Sequence, residues 1–351
     1  MTNLTLRIGA FHAPYDRLAG GRLASAPQPA RMLKMDQFTS NQTEAEPPLV
    51  QAEVVEMSAG APWEWQEVRP VRPRRRWRLP LLLFVATCFT TVFAGGAEVG
   101  LVEGWWAGLL MGLRYAVPVM TILVCHEMGH FIQAYRYGVY ASFPYFIPMP
   151  FPPLGTLGAV IAMEPRLGHR RALFDIGISG PLAGLVPTMI FLVIGLQHST
   201  LGIPAAHSML FGDPLLVQFL ANWILGPIPK GYEVMVDPMA FAGWVGLLIT
   251  SLNLFPIGQL DGGHILYALL RKKAHKVASV VLFGALFMVI WKWEYLKSWT
   301  LMVFLLLLMG PIHPPTADDE EPLGVGRYIL GWLTLAFIVV GFTPVPLQGL
   351  P

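Results

Sequence analysis

Long stretches without a charged residue constrain the fold of this chain more than any other feature. They lie between Arg78 and Glu98 and over residues 176–212, 238–260, 298–317 and 328–351, with lengths of 19 to 37 residues. A helix needs about 20 apolar residues to cross the hydrocarbon core of a bilayer. A soluble core rarely holds several such stretches in one chain, so the sequence predicts a polytopic membrane protein.

Two further apolar stretches raise the number of predicted membrane helices to about seven. One covers residues 105–135, interrupted by Arg114 and Glu127, and the other is the shorter uncharged run 277–291. Charged residues make up 13% of the chain, about half of the roughly 25% that is usual in soluble proteins. The mean hydropathy of +0.53 agrees. This composition excludes an ordinary water-soluble enzyme and a largely disordered chain.

The predicted organisation has three parts: a disordered cytoplasmic tail over residues 1–68, a basic juxtamembrane segment over 69–78 and an intramembrane domain over 79–347. The tail is rich in Pro, Gln and Ser and has no sustained hydrophobic period. The arginines of the basic segment place the tail in the cytoplasm by the positive-inside rule. They are Arg69, Arg72, Arg74, Arg75, Arg76 and Arg78. The formal net charge is only +2, so nucleic acid is not an expected partner.

The second predicted membrane helix carries the strongest chemical signal, His126-Glu127-Met128-Gly129-His130. Two histidines four residues apart project from one face of a helix, and this spacing suits two imidazole nitrogens on one tetrahedral zinc ion. Glu127 lies beside them, where a carboxylate serves as a general base without binding the metal. A charged side chain at membrane depth costs at least about 2.5 kcal/mol. A bound metal compensates for that cost, so the motif predicts a zinc site.

A catalytic zinc site normally has three protein ligands, and the sequence offers several candidates for the third. They are Glu164, His169, Asp175, Asp261 and His264. Asp261 is favoured because it directly follows a 23-residue uncharged run that Pro256 and Gly258 interrupt. Irregular backbone at membrane depth survives only where it is buried in protein or lines a wet cavity. The residues alone leave open that Asp261 is an ordinary interfacial aspartate at a helix end.

Together these two motifs resemble the site-2 protease family of intramembrane zinc metalloproteases, peptidase family M50, and in particular its EGY-like bacterial and plastid branch. The resemblance is carried by residues 126–130 and by the segment 253–262, which reads Asn-Leu-Phe-Pro-Ile-Gly-Gln-Leu-Asp-Gly. Residues 155–159 and 179–184 extend it. The family fold is then an all-α polytopic membrane protein of about seven transmembrane helices, with a short membrane-dipping β or loop segment after the helix of the histidine pair.

The resemblance implies that His126, His130 and Asp261 bind one zinc ion per chain, that Glu127 is the general base, and that Asn253 positions the substrate or stabilises the oxyanion. It implies a zinc metalloendopeptidase that cleaves membrane-embedded substrates, with transmembrane proteins and the lipid bilayer as partners. The expected location is a bacterial inner membrane with a cytoplasmic N-terminus, and a plastid membrane stays open. A non-catalytic zinc-binding membrane protein and a metal transporter are the alternatives.

The segment after the histidine pair carries a structural expectation of its own. Residues 140–153 include five prolines, which exclude a helix. Residues 155–163 are apolar and indicate a short strand pair. We expect this segment to dip into the membrane beside the zinc and to offer an edge to an unwound substrate.

Several glycines and histidines outside the two motifs carry weaker expectations. Small residues let membrane helices approach each other, so Gly177, Gly180 and Gly184 indicate close helix packing rather than chemistry. His264 is interpreted either as support for the metal ligands or as a hydrogen-bonded packing residue. The remaining histidines have no constellation of polar residues around them in the sequence. They include His198, His275 and His313.

Overall fold

The computed structural model describes residues 76–151, 153–163, 169–203 and 210–348. The predicted tail, most of the basic segment and the candidate ligand Glu164 lie outside these residues. The division of the chain into three parts therefore stays a prediction.

Helices form most of the described structure. They are α1 (Arg78–Glu103), α2 (Trp105–Arg136), α3 (Arg170–His198), α4 (Leu215–Leu225), α5 (Pro238–Asn253), α6 (Asp261–Leu270), α7 (Ala274–Trp291), α8 (Trp293–Leu296), α9 (Thr300–Met309), α10 (Val325–Ala336) and α11 (Ile338–Gly341), with 3₁₀ turns at Arg271–Lys273 and Lys297–Trp299. Six short strands accompany them: β1 (Tyr145–Pro148), β2 (Thr156–Val160), β3 (Thr200–Gly202), β4 (Leu210–Phe211), β5 (Glu233–Met235) and β6 (Leu347–Gln348). The strands pair as β1–β2, β3–β5 and β4–β6, all antiparallel. The framework is helical as predicted, but the β3–β5 and β4–β6 pairs were not expected.

Four helical stretches in the described part of the chain are long and apolar enough to cross a membrane. They are Arg78–Glu103, Trp105–Arg136, Arg170–His198 and Asp261–Trp291. The last of these is not one continuous helix, because Arg271 adopts a φ of 55° and separates α6 from α7. These stretches agree with a membrane protein.

The number of seven membrane helices is not confirmed. The uncharged run 298–317 contains only the ten-residue α9, which ends before Gly310 and the prolines that follow. The run 238–260 contains the 16-residue α5, and the C-terminal run contains the 17-residue stretch Val325–Gly341. A run without charges reflects only composition. Glycine and proline divide such a run into shorter helices, so the number of runs does not give the number of membrane helices.

The interruption between α5 and α6 was predicted from Pro256 and Gly258. Helix α5 ends at Asn253, and α6 begins at Asp261. The irregular segment between them is enclosed by protein, since Leu254 and Ile257 are buried. This burial satisfies the requirement for non-helical backbone at membrane depth. The break places one predicted site residue at the end of each helix.

The strands after α2 differ from the prediction in one respect. Residues 155–163 supply only β2, and its partner β1 comes from the proline-rich segment before it. This is possible because Pro148 stands at the end of β1, where its missing N–H removes no internal ladder hydrogen bond. The helices hold the turn between the strands: Thr90 of α1 donates to the carbonyl of Gly155 at 2.7 Å, and the Tyr115 hydroxyl of α2 donates to the carbonyl of Leu154 at 2.7 Å.

The main core lies where α2, α3 and α5 meet. Val119, Leu192, Val245 and Leu247 from these helices are at most 1% exposed. A second core joins α3 to α6 through Phe174 and other buried side chains. Helices α2, α3, α5 and α6 therefore form one packed unit, and this unit carries the predicted site residues.

A buried arginine fastens α6 to α3. Arg170 opens α3 and is 4% exposed. Its guanidinium donates to the carbonyls of Ala268 and Leu269 at 2.6 and 3.3 Å and to the Tyr328 hydroxyl at 2.7 Å. The last carbonyls of a helix have no partner within the helix, and a cation is favourable there. Arg170 thus caps the C-terminal end of α6.

We expect Arg170→Met to lower the free energy of unfolding by on the order of 3 kcal/mol, because it leaves buried carbonyls without a donor. The matched control is Arg171→Met, since Arg171 has a side chain that is 41% exposed and exposed ion pairs contribute less than about 1 kcal/mol. Thermal unfolding of the detergent-solubilised protein measures both. Equal losses for the two variants would contradict the capping role.

Candidate metal centre

The two motif histidines lie side by side in the middle of the packed unit. His126 and His130 of α2 are each 3% exposed, and their Nε2 atoms are 3.2 Å apart. The Nδ1 of His130 lies 2.7 Å from the carbonyl of Ile176 on α3. A carbonyl only accepts, so this bond places a proton on Nδ1 and leaves Nε2 with a lone pair in the neutral ring.

Asp261 completes a group of three potential metal ligands. Its Oδ2 lies 3.1 Å from the Nε2 of His126 and its Oδ1 lies 3.2 Å from the Nε2 of His130. These ligand atoms all lie within 4.8 Å of one another. The structure therefore brings together the two histidines of α2 and the aspartate that was favoured from the sequence.

The spacing of these atoms fits a small divalent cation. Bonds of about 2.0–2.1 Å in tetrahedral geometry place ligand atoms roughly 3.3 Å apart, close to the observed 3.1 to 3.2 Å. The neutral His130 Nε2 is an acceptor that faces a carboxylate oxygen, another acceptor. Either an extra proton or a bound cation must lie between them. Two imidazoles and a carboxylate are a donor set that zinc accepts.

Two more predicted residues border this group. Glu127 is 4% exposed, and no hydrogen bond or ion pair reaches its carboxylate from the residues that the structure describes. The side-chain amide nitrogen of Asn253 lies 3.3 Å from the Nε2 of His126. Asn253 therefore contacts the ligand group, and Glu127 is adjacent to His126 in the chain.

The other candidate ligands have different partners. Asp175 accepts from the guanidinium of Arg327 at 2.7 and 2.8 Å, and this ion pair accounts for its charge. His169 lies 3.4 Å from a Glu321 oxygen and is about half exposed. His264 forms a hydrogen bond with His313. Glu164 lies outside the described residues.

A row of glycines on α3 faces the histidines, and the sequence did not reveal this role. A Cβ atom at Gly180 would overlap the ring of His130, and one at Gly184 would lie 3.0 Å from the Cβ of His126. Close packing was predicted for these glycines, but the contacts are with the candidate ligands rather than with apolar side chains. The sequence signal for a shared contact surface was their spacing of three and four residues, which places Gly177, Gly180 and Gly184 on one helix face.

Comparison with known protein families gives a match that spans the candidate site. A family model described as peptidase family M50 matches residues 114–291, just over half of the chain and a region that includes all five predicted site residues. The chain belongs to peptidase family M50. The resemblance stated from the sequence is confirmed at the level of the family, and the relatives below support its EGY-like branch.

Several curated relatives are similar over more than half of this chain. The "Probable zinc metalloprotease EGY1, chloroplastic" of Arabidopsis thaliana is 31% identical over 239 residues, covering 66% of this chain and 43% of its own length. The rice protein of the same description with the name EGY3, from Oryza sativa subsp. indica, is 32% identical over 239 residues, covering 62% of this chain and 39% of its own. The chain thus spans about two fifths of the length of these relatives.

One solved structure shows a weak similarity. The site-2 protease from Methanocaldococcus jannaschii aligns with a TM-score of 0.34 and 18% sequence identity, covering 72% of this chain and 88% of its own.

We expect Gly180→Ala to remove most bound metal from the purified protein, because the added methyl group would displace the ring of His130. Gly184→Ala should have a smaller effect, since its Cβ only touches His126. Gly284→Ala is the control: nothing lies within 4 Å of its Cβ position in α7. Metal content per chain is the measurement, and full metal binding by Gly180→Ala would contradict the packing of α3 against the site.

Proposed function

We propose that this protein is an intramembrane zinc metalloendopeptidase that hydrolyses peptide bonds of membrane-embedded protein substrates. One observation carries the proposal: two histidines and an aspartate converge inside apolar helices, with the buried Glu127 next to His126 and outside the group of three. Membership of peptidase family M50 supports it. The names of the chloroplastic relatives also support it, since they describe zinc metalloproteases.

His126, His130 and Asp261 would hold one zinc ion per chain. Three protein ligands leave a fourth position free, which is the arrangement of catalytic rather than structural zinc sites. When bound, zinc lowers the pKa of water toward about 7 and polarises carbonyl groups. Glu127 does not belong to the ligand group and stays free for proton transfer.

The residues of the chain then have separate tasks. Glu127 accepts a proton from the attacking water and returns it to the amine that leaves when the peptide bond breaks. Asn253 lies at the edge of the ligand group, and its amide donates to the substrate carbonyl and orients it. Exclusion of bulk water by the packed helices strengthens both interactions.

The β1–β2 hairpin is the proposed site of substrate recognition. The two strands form a sheet of their own among the described residues, so each has an edge that can accept a further strand. Gly158 of β2 approaches Ile249 of α5, one helical turn before Asn253. An unwound substrate segment that adds to the sheet is therefore close to the site, with main-chain hydrogen bonds giving recognition that depends little on sequence.

The location in the cell is a further part of the proposal. The apolar helices indicate a membrane protein, and we propose that α5 and α6 cross the bilayer as one interrupted unit. The named relatives are chloroplastic, so they give no support to the bacterial inner membrane that was expected. A cytoplasmic side for the N-terminus stays a prediction from the arginines before α1.

Replacing Glu127 by Gln should lower cleavage of a model transmembrane substrate by at least about 100-fold, because general-base catalysis contributes factors of about 10²–10⁴. Zinc content should stay near the wild-type level, since the glutamate is not one of the three ligands. His126→Ala should lose both zinc and activity. The assay uses the full-length protein in proteoliposomes and measures cleavage and metal content on the same samples.

Two results would overturn the proposal. Undiminished cleavage by the Glu127→Gln variant would remove the general base from the mechanism. Transport of zinc into the proteoliposomes without any proteolysis would favour a metal transporter, which needs no carboxylate next to the first histidine.

A further inference from the structure

A second pair of histidines lies on the helix that supplies Asp261. The Nδ1 of His264 on α6 is 2.7 Å from the Nε2 of His313, and the two residues are 8% and 3% exposed. His313 belongs to the loop of residues 310–324 between α9 and α10. The expectation that His313 has no polar constellation was therefore wrong, because its partner is 49 positions away in the sequence.

The hydrogen bonds fix the protonation of both rings. The Nδ1 of His313 lies 2.6 Å from the carbonyl of Pro314, so it carries a proton and its Nε2 is the acceptor. His264 must then donate from Nδ1. Burial, with His275 nearby, lowers the pKa of His313 to about 4, and this imidazole is neutral at pH 7. In this hydrogen bond His264 is therefore the donor and His313 is the neutral acceptor.

The 310–324 loop holds α6 along the stripe that includes Asp261. Residues three or four apart share a helix face, and Asp261, His264 and Tyr267 follow this spacing, while Arg271 directly follows the last residue of the helix. The Tyr267 hydroxyl donates to Asp319 at 2.7 Å, and the Arg271 guanidinium donates to Glu320 at 3.0 Å. The ring of Tyr267 also stacks on that of His313, with ring centroids 4.5 Å apart. The loop thus contacts two successive turns of α6 and the residue that follows the helix.

Helix α6 needs this support because it is short and interrupted at both ends. It has ten residues, an irregular segment before it and a turn at Arg271 after it. Helices of this length have little stability of their own, so contacts with neighbours determine where α6 lies. On the opposite side, a Cβ at Gly177 of α3 would lie 2.9 Å from that of His264. His264 is therefore enclosed between α3 and the loop, one turn from Asp261.

We propose that the 310–324 loop is a positioning element for the metal site, and that the His264–His313 bond is the link that holds Asp261 against the two histidines of α2. The inference rests on the proposed zinc site. His264 and His313 are positioning residues in this account, since they act through Asp261. Groups bonded directly to metal ligands change metal affinity by factors of about 10–100 when they are removed, and the His264–His313 link acts on Asp261 through one turn of α6.

The test measures zinc affinity of the full-length protein in detergent by competition with a chelator. We expect His313→Leu and His264→Leu to weaken zinc binding by about 10–100-fold, and the conservative variants His313→Gln and His264→Asn to stay within about threefold of wild type. Gln places an acceptor near the position of Nε2, and Asn places a donor near the position of Nδ1. His264→Asn also removes the second ring nitrogen, so it separates the bond to His313 from direct action of His264 at the metal.

Leu220→Ala is the control for general destabilisation. Leu220 is buried in α4, away from α6, and its truncation should lower the unfolding temperature without changing zinc affinity. Wild-type zinc affinity in His313→Leu would overturn the inference while leaving the proposed function intact. A loss in His264→Asn as large as in His264→Leu would also overturn it. A wild-type protein that binds no zinc would instead overturn the proposed function, and this inference with it.

Discussion

Two imidazole nitrogens and a carboxylate that face one another inside apolar helices are the constraint on which the rest of this structure depends. An unpaired charge in such surroundings is costly, and the neutral tautomer of His130 that the Ile176 carbonyl favours cannot donate to Asp261. A cation shared by the three groups, or an extra proton on an imidazole, resolves this conflict. Glu127 is buried with them but is not part of the ligand group.

Several features of the surrounding fold bring these groups together. A glycine face on α3 leaves room for the histidine rings. The break between α5 and α6 turns the chain so that Asn253 and Asp261, eight positions apart, both reach the site of α2. Arg170 holds the far end of α6, and the 310–324 loop follows its length. The break, Arg170 and the loop all act on the position of α6, a short helix with little stability of its own.

The sequence indicated which of the predicted site residues lie close together better than it indicated the number of membrane helices. His126 and His130 share a helix turn, so their proximity follows from local geometry, and Asp261 was favoured because Pro256 and Gly258 interrupt its apolar run. The sequence alone could not show which of the five candidate third ligands have other partners, because those partners lie far away in the chain. The ion pair of Asp175 with Arg327, for example, spans 152 positions. The contacts of Gly180 and His313 could not be predicted because they depend on which segments are neighbours in the fold. The number of membrane helices could not be predicted because a run without charges does not show where a helix ends.

X-ray absorption at the zinc K-edge of the purified full-length protein tests whether His126, His130 and Asp261 bind the metal, because it reports the atoms bound to the zinc ion. The account predicts imidazole nitrogens and carboxylate or water oxygens at about 2.0–2.2 Å, with no sulfur. Cys125 lies next to His126 in the sequence and has a free thiol. A sulfur neighbour at about 2.3 Å, or a zinc spectrum without imidazole scattering, would contradict the assignment of His126, His130 and Asp261.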